Sequence, residues 1–306
     1  MKCFYTTKYN ITTNKSNHKI KILILSDLHF SYKVKDKKLS LIISEVKRVQ
    51  ADYILFVGDL IDSLDMISDE NEMKRFIQFF HKLSSVSKLI ISLGNHDCYK
   101  KRIVNGKFCG WNEFFDEIFI NRLKNIPNTH VLINDSYEDD NIYVLGIYNK
   151  AIYYHQKDRH ESKGELINNF NSINESLLFD LPKNKINIMM IHSPVYMLDS
   201  SISKYTQCFD YIISGHMHNG CVPPIINELW KSTRGIISPT KELFIKNIRN
   251  TIKTSSDKLI VNGALTTFHE CTGKLEYANV IFPMFDTILE IDKGMDKIEI
   301  IKKYHK

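Results

Sequence analysis

Five short polar clusters in this 306-residue chain carry side chains suited to holding metal ions. They are SDLH at 26–29, GDLID at 58–62, GNHD at 94–97, HSP at 192–194 and GHMH at 215–218. Together they offer Asp27, His29, Asp59, Asn95, His96, His192, His216 and His218. Oxygen and imidazole donors without a thiolate suit manganese, iron or zinc, whereas calcium or magnesium alone would hardly call for so many histidines. Residues two apart in extended chain project to one side, so Asp27 and His29 can approach one ion together. His216 and His218 share a tight loop and can serve different ions. A carboxylate can bridge two cations, and Asp59 is the natural candidate, with Gly58 before it where the chain must turn closely. Gly58, Gly94 and Gly215 each precede candidate ligands, and their conformational freedom suits such turns.

Each cluster ends a strand-like apolar run: ILIL, ILFV, LIISL, INIMMI and YIIS, beginning at residues 22, 54, 89, 186 and 211. Short runs without alternation suit strands buried on both faces. In open α/β sheets, side chains just past the C-terminal strand ends converge on one crevice, where ligands bind. Helix spacing lies between the runs, in Leu39, Ile42, Ile43 and Val46, and again in Met73, Phe76, Ile77 and Phe80. Two further stripes are Trp111, Phe114, Phe115 and Ile118, and Leu166, Phe170, Ile173 and Leu177. All four read as core packing. The last third switches to strand candidates without intervening helices, KLIVNGAL, VIFPMFDTILEI and KIEIIKKY. The pattern predicts an α/β fold, a four-layer α/β/β/α sandwich of two mixed β-sheets flanked by helices. It forms a single domain over residues 1–306, with a basic irregular insertion at about 220–257 of a length usually functional or mobile.

Bulk properties narrow the function classes. Hydrophobic residues at 43% and charged residues at 25% are ordinary for a globular protein. No window reaches the roughly 18 apolar residues of a membrane span, and the N-terminus lacks a signal-peptide core, so a cytoplasmic location is expected. The six cysteines are scattered without a CxxC pair and read as reduced thiols. Of the +6 net charge, most arises between 231 and 258, where seven basic residues face two acidic ones. That segment reads as a solvated loop or as a rim attracting anionic substrate or membrane. Trp230, Leu243, Phe244 and Ile245 add apolar groups that allow peripheral membrane contact. A charge excess confined to one segment gives no strong nucleic-acid signal.

DLH, GDLID, GNHD, HSP and GHMH, in this order over residues 27–218, resemble the five signature blocks of the calcineurin-like metallophosphoesterases. A lone D-x-H would be weak, but five ordered blocks at strand ends are highly specific. The resemblance implies that Asp27, His29 and His218 hold one ion, that Asn95, His192 and His216 hold another, and that Asp59 bridges. His96 is then not a ligand but faces the leaving group as a catalytic acid. Asp62 and Asp97 read as outer orienters or turn residues. The implied activity is hydrolysis of phosphoesters, above all phosphodiesters, by metal-bound hydroxide with two manganese, iron or zinc ions. Asp97 or another neighbour is expected to keep His96 charged.

The sequence is similar to a bacterial phosphodiesterase-type branch in its proline-bearing loop after GHMH and in a late strand ending at Gly263. It departs from that branch at Asn219, where glycine is usual, and no N-terminal anchor is expected from its first residues. Small-molecule or lipid-linked phosphoesters are the implied substrates. Tyr153, Tyr154, His155, His160, Asn219 and the basic segment are candidates for the rim. A nuclease reading is opposed by the confined charge and the lack of a capping domain. A non-catalytic, protein-binding scaffold is opposed by the retention of every expected position, His96 included.

Overall fold

The computed structural model describes residues 4–105, 107–154, 159–221, 250–252, 259–266 and 284–305. Its first half runs β1 (Phe4–Thr13), β2 (Ile20–Leu25), α1 (Asp36–Val49), β3 (Tyr53–Val57), α2 (Glu70–Ser84), β4 (Lys88–Ser92), β5 (Tyr99–Val104), β6 (Lys107–Glu113) and α3 (Glu117–Lys124). There follow β7 (Thr129–Leu132), β8 (Asp135–Glu138), β9 (Ile142–Ile147), α4 (Arg159–Ser172), α5 (Glu175–Phe179), β10 (Ile186–Ile191), α6 (Ser200–Thr206) and β11 (Tyr211–Ser214). Last come β12 (Asn250–Ile252), β13 (Leu259–Val261), β14 (Met284–Lys293) and β15 (Lys297–His305).

Two mixed sheets form the centre. The seven-stranded sheet has the order β15-β1-β14-β2-β3-β4-β7, and the six-stranded sheet β12-β13-β11-β10-β9-β8. Strands β2, β3, β4 and β7 run parallel, as do β9, β10, β11 and β13. Side chains alternate across a strand, and here the two faces are both apolar. In β3, Tyr53, Leu55 and Val57 join the core between the sheets, while Ile54 and Phe56 face the core shared with α1 and α2. In β10, Ile186, Ile188 and Met190 point inward, and Met189 and Ile191 outward toward α4 and α6. Three separate apolar cores therefore alternate with four layers, helix, sheet, sheet, helix, as the unalternating runs required.

The helices begin and end for local reasons. The Asp69 side chain accepts the Asn71 and Glu72 amides at the start of α2, worth about 1 kcal/mol for such a cap. Asp36 opens α1 and Lys47 and Arg48 close it, matching the helix dipole.

Three expectations change. The stripe Trp111, Phe114, Phe115 and Ile118 is not a helix. Its first part lies in β6, paired antiparallel with β5, and α3 starts only at Glu117, capped by the Asp116 side chain. The dipeptide Asn105-Gly106 between β5 and β6 is a strong short hairpin signal, and it overrides the helical spacing beyond it. Phe119, Ile120 and Leu123 form the buried face of α3, whereas Phe114, Phe115 and Ile118 are exposed. The stripe at 166–177 divides between α4 and α5, with Asn174 capping the second. The basic stretch 220–257 lies largely outside the described residues, but Asn250–Ile252 within it pairs with β13, so that part is a strand and not irregular loop.

Candidate metal centre

All five clusters lie at C-terminal strand ends. Asp27 follows β2, Asp59 follows β3 and Asn95 follows β4 in the larger sheet; His192 follows β10 and His216 follows β11 in the smaller one. The first two loops are bonded together, with the Asp27 amide donating to the Gly58 carbonyl and the His29 amide to the Asp59 carbonyl, each at 3.0 Å. Across the sheets, the His216 amide donates to the Asp27 carboxylate at 3.1 Å. The His96 amide donates to Asp59 Oδ1 at 2.9 Å.

Backbone strain marks the same positions. Asp27, His29, Asp59, His216 and His218 all have left-handed φ, between 45° and 65°. Non-glycine residues rarely adopt this region, and clusters of them persist only where surrounding structure holds them. Of the three glycines expected to relieve the turns, only Gly58 is itself left-handed, at φ 74°. Gly94 and Gly215 are needed for space instead. A Cβ on Gly94 would collide with the Asp59 carboxylate and amide, and one on Gly215 with Asp27 Oδ2 and Ser26.

The donor atoms of the described residues form three groups, two of them built on Asp27 and Asp59. Ligating atoms of Asp27, His29 and His218 lie within 4.8 Å of one another, and so do those of Asp59, His192 and His216. Asp59 Oδ2 connects them, 3.6 Å from His29 Nε2 and 3.1 Å from His192 Nε2. Asn95 is buried between Gly94 and His96, both in contact with Asp59.

Outer bonds fix the imidazoles. His192 Nδ1 donates to the Val57 carbonyl at 2.8 Å, and His218 Nδ1 to the Thr266 carbonyl at 3.0 Å. A carbonyl can only accept, so each ring carries a proton on Nδ1 and directs Nε2 inward. His96 Nδ1 donates in the same way to the Asp62 carbonyl at 2.6 Å, and its ring stands edge-on to His29.

The electrostatics are those of a site built for added positive charge. Burial pushes the Asp27 carboxyl up, and burial likewise drives the His29 and His216 imidazoles well below their usual range. Burial alone would lower His192 too, but Asp59 and Asp27 raise it to about 9, so its proton serves as counter-charge. Burial works to raise Asp59, yet the facing His192 and His96 hold it well below the ordinary carboxylate value.

Asp97 is not the partner expected for His96. Its Oδ1 accepts the Leu60 and Ile61 amides, and its Oδ2 accepts the Gly94 amide at 2.8 Å, so it ties two ligand loops together from behind. Burial and the nearby Asp59 charge raise its carboxyl to about 7. The Asp62 carboxylate, by contrast, groups with His96 and His29.

Among the rim candidates, Tyr153 is buried and not at the rim. Its hydroxyl lies 2.8 Å from the carbonyls of Ser193 and Val195, pinning this turn to the HSP loop. That contact delivers the Tyr154 ring against His192 and His216, at centroid distances of 6.1 and 5.4 Å. His160 is exposed at the start of α4, and His155 lies outside the described residues. Asn219 is buried with φ 52°, which explains the departure from glycine, because asparagine tolerates the left-handed region. Thr266 escaped the sequence reading, its sole trace being the NGALTT segment after the last short strand.

The family model for calcineurin-like phosphoesterases matches residues 20–220, the whole span of the five clusters. The chain belongs to this family. Phosphoester hydrolysis that depends on metal ions is the family's activity, and its members act on small phosphoester substrates. This calcineurin-like phosphoesterase is 26% identical to an uncharacterized metallophosphoesterase of Campylobacter jejuni over 68% of this chain and 46% of that protein. It is 22% identical to one from Helicobacter pylori, over 78% of this chain and 56% of the relative. The chain thus spans about half the length of the curated relatives it matches. A crystal structure of a Thermus thermophilus protein is similar at 12% identity and a TM-score of 0.42, covering 80% of this chain and 90% of that one.

The residues fit a pair of cations. Asn95 Oδ1 and His192 Nε2 are buried without a hydrogen bond of proper geometry, a costly state for polar atoms unless something else satisfies them. Among the described residues, no helix is long and apolar enough to cross a membrane.

Proposed function

We propose that this chain hydrolyses phosphodiesters at a two-cation centre. Asp27, His29 and His218 would hold one ion, Asn95, His192 and His216 the other, and Asp59 would bridge them. The observation carrying this reading is the position of Asp59 Oδ2, one carboxylate oxygen facing a histidine from each group. A pair of manganese, iron or zinc ions held by these residues would supply Lewis-acid chemistry, lowering the pKa of water and offsetting phosphoryl charge.

The chain's own residues supply orientation and a proton. Val57 and Thr266 carbonyls hold His192 and His218 with Nε2 inward. The Asp62 carbonyl holds His96 by Nδ1, which leaves Nε2 to carry the proton given to the leaving alkoxide. Tyr154 walls the His192 and His216 side against water. The likeness to the bacterial phosphodiesterase-type branch supports the diester preference and the choice of a small or lipid-linked substrate.

The test is a metal-stripped enzyme reloaded with manganese, iron or zinc and assayed on matched mono- and diesters of one alcohol. Faster diester turnover is expected. Equal or faster monoester turnover removes the diester assignment, and no hydrolysis of either by enzyme carrying two ions removes the catalytic reading.

A further inference from the structure

Thr266 lies outside every signature block, yet it joins three parts of the centre. Its amide donates to the Asp27 carbonyl at 3.0 Å, and its carbonyl accepts His218 Nδ1 at 3.0 Å. Its hydroxyl donates to the Leu28 carbonyl, and the same oxygen accepts Lys38 Nζ, from α1, at 3.0 Å. Lys38, Thr266 and Leu28 thus form a relay ending on the residue that separates Asp27 from His29. Both flanking residues are left-handed, at φ 55° and 46°. Such a segment needs surrounding bonds to stay in place, and here they come from Thr266 and from the second loop.

The two groups of donors differ in what stands behind them. The His192 acceptor, Val57, is the last residue of β3, a fully buried strand with partners on both sides. The His218 acceptor belongs to residues 262–266, which follow the three-residue strand β13. Those residues are held by bonds from neighbours: the Leu265 amide to the Ser26 carbonyl, the Asn262 side chain to Ser26, and Thr287 to Asn262 at 2.8 Å. One acceptor is part of the sheet. The other lies in a strap whose Thr266 accepts a bond from a half-buried lysine.

We propose that Lys38 and Thr266 are positioning residues that set the affinity for the ion held by Asp27, His29 and His218, leaving the other ion unaffected. The inference rests on the two-cation reading above. Donation by the Lys38 ammonium polarises the Thr266 hydroxyl and strengthens its bond to Leu28, since hydrogen bonds in a chain reinforce one another. Loss of the relay frees the strap, and with it the carbonyl that fixes the His218 tautomer. Outer partners of metal-bound histidines commonly account for about 10- to 100-fold in metal affinity.

The experiment is manganese titration of the metal-stripped full chain by calorimetry, for the natural sequence and for Thr266→Val, Thr266→Ser, Lys38→Met and Lys38→Arg. Two binding events are expected for the natural chain. Thr266→Val and Lys38→Met should weaken one event by about 10- to 100-fold and spare the other. The weakened event should be the one that His29→Ala abolishes. Thr266→Ser and Lys38→Arg should restore it, which a role in packing alone would not require of the hydroxyl. Lys38 is partly exposed, so Lys38→Met tests the relay even where Thr266→Val impairs folding. Unchanged affinities in both variants, or equal weakening of both events, overturn the inference while leaving two ions in place. Fewer than two events in the natural chain overturn the two-cation reading itself, and the inference with it.

Discussion

The Nε2 atoms of His29 and His218 face each other at 3.2 Å, although 189 residues separate them in the chain. His218 keeps its proton on the far nitrogen, where Thr266 accepts it, so its lone pair points at the His29 ring. A shared proton or a cation can satisfy both nitrogens. The Asp27 carboxylate, 3.6 Å from His218 Nε2, adds the negative charge that favours a cation. In the neighbouring group, Asp59 Oδ2 lies 3.1 Å from His192 Nε2.

His96 separates catalysis from binding. Its Nδ1 donates to the Asp62 carbonyl, and its backbone amide donates to Asp59 Oδ1. His96→Ala should therefore keep both ions by metal analysis and lose about 10²- to 10⁴-fold in kcat. The loss should shrink for a nitrophenyl leaving group and grow for an alkyl one, read from paired diester assays. A uniform loss across leaving groups would count against the acid role.

Two glycines give opposite outcomes. Gly94→Ala places a Cβ against the Asp59 carboxylate and amide, so bound metal and activity should fall together. Gly164, in the middle of α4, has open space where a Cβ would go. Gly164→Ala should keep activity and raise stability by about 0.5–1 kcal/mol, measured by urea unfolding.

The acid limb of stability should carry a contribution from Asp139. Partial burial works to raise this carboxyl, but bonds from the Tyr137 hydroxyl, the Asn141 amide, the Tyr53 hydroxyl and the Ile142 amide outweigh it and hold it at about 2. A carboxyl lowered on folding stabilises above its unfolded value of about 3.9, and that contribution disappears as pH falls toward the folded value. Asp139→Asn should thus lower the Tm of metal-free protein at pH 7, and the gap to the natural chain should close between pH 4 and pH 2. A gap independent of pH would show that ionisation is not what Asp139 contributes.

Much of the site was legible because its chemistry is local in sequence. Each ligand cluster sits immediately after an apolar run, and the runs are buried strands with parallel neighbours. The helix expected at Trp111 failed because a two-residue Asn-Gly turn governs its neighbours more strongly than helical spacing does. Strand β1 was missed for a different reason: its partners are β14 and β15, at the other end of the chain, and alternating residues in FYTTKYNITT gain their meaning only from that pairing. Thr266 acts through backbone groups, which every residue type possesses, so its sequence carries no signal. The amide partners of Asp97 lie in two loops that only the fold brings together, so its bonds have no trace in the sequence.

Asp59 offers the most direct test of the two-cation centre, because its Oδ2 lies 3.6 Å from His29 Nε2 and 3.1 Å from His192 Nε2, one histidine from each group. The measurement is metal content per chain after reloading with manganese, for the natural sequence and Asp59→Asn side by side. Two ions per natural chain are expected, with loss of bound metal and of diester turnover together in Asp59→Asn. An Asp59→Asn protein that still holds two ions and turns over diester at the natural rate would contradict the bridge.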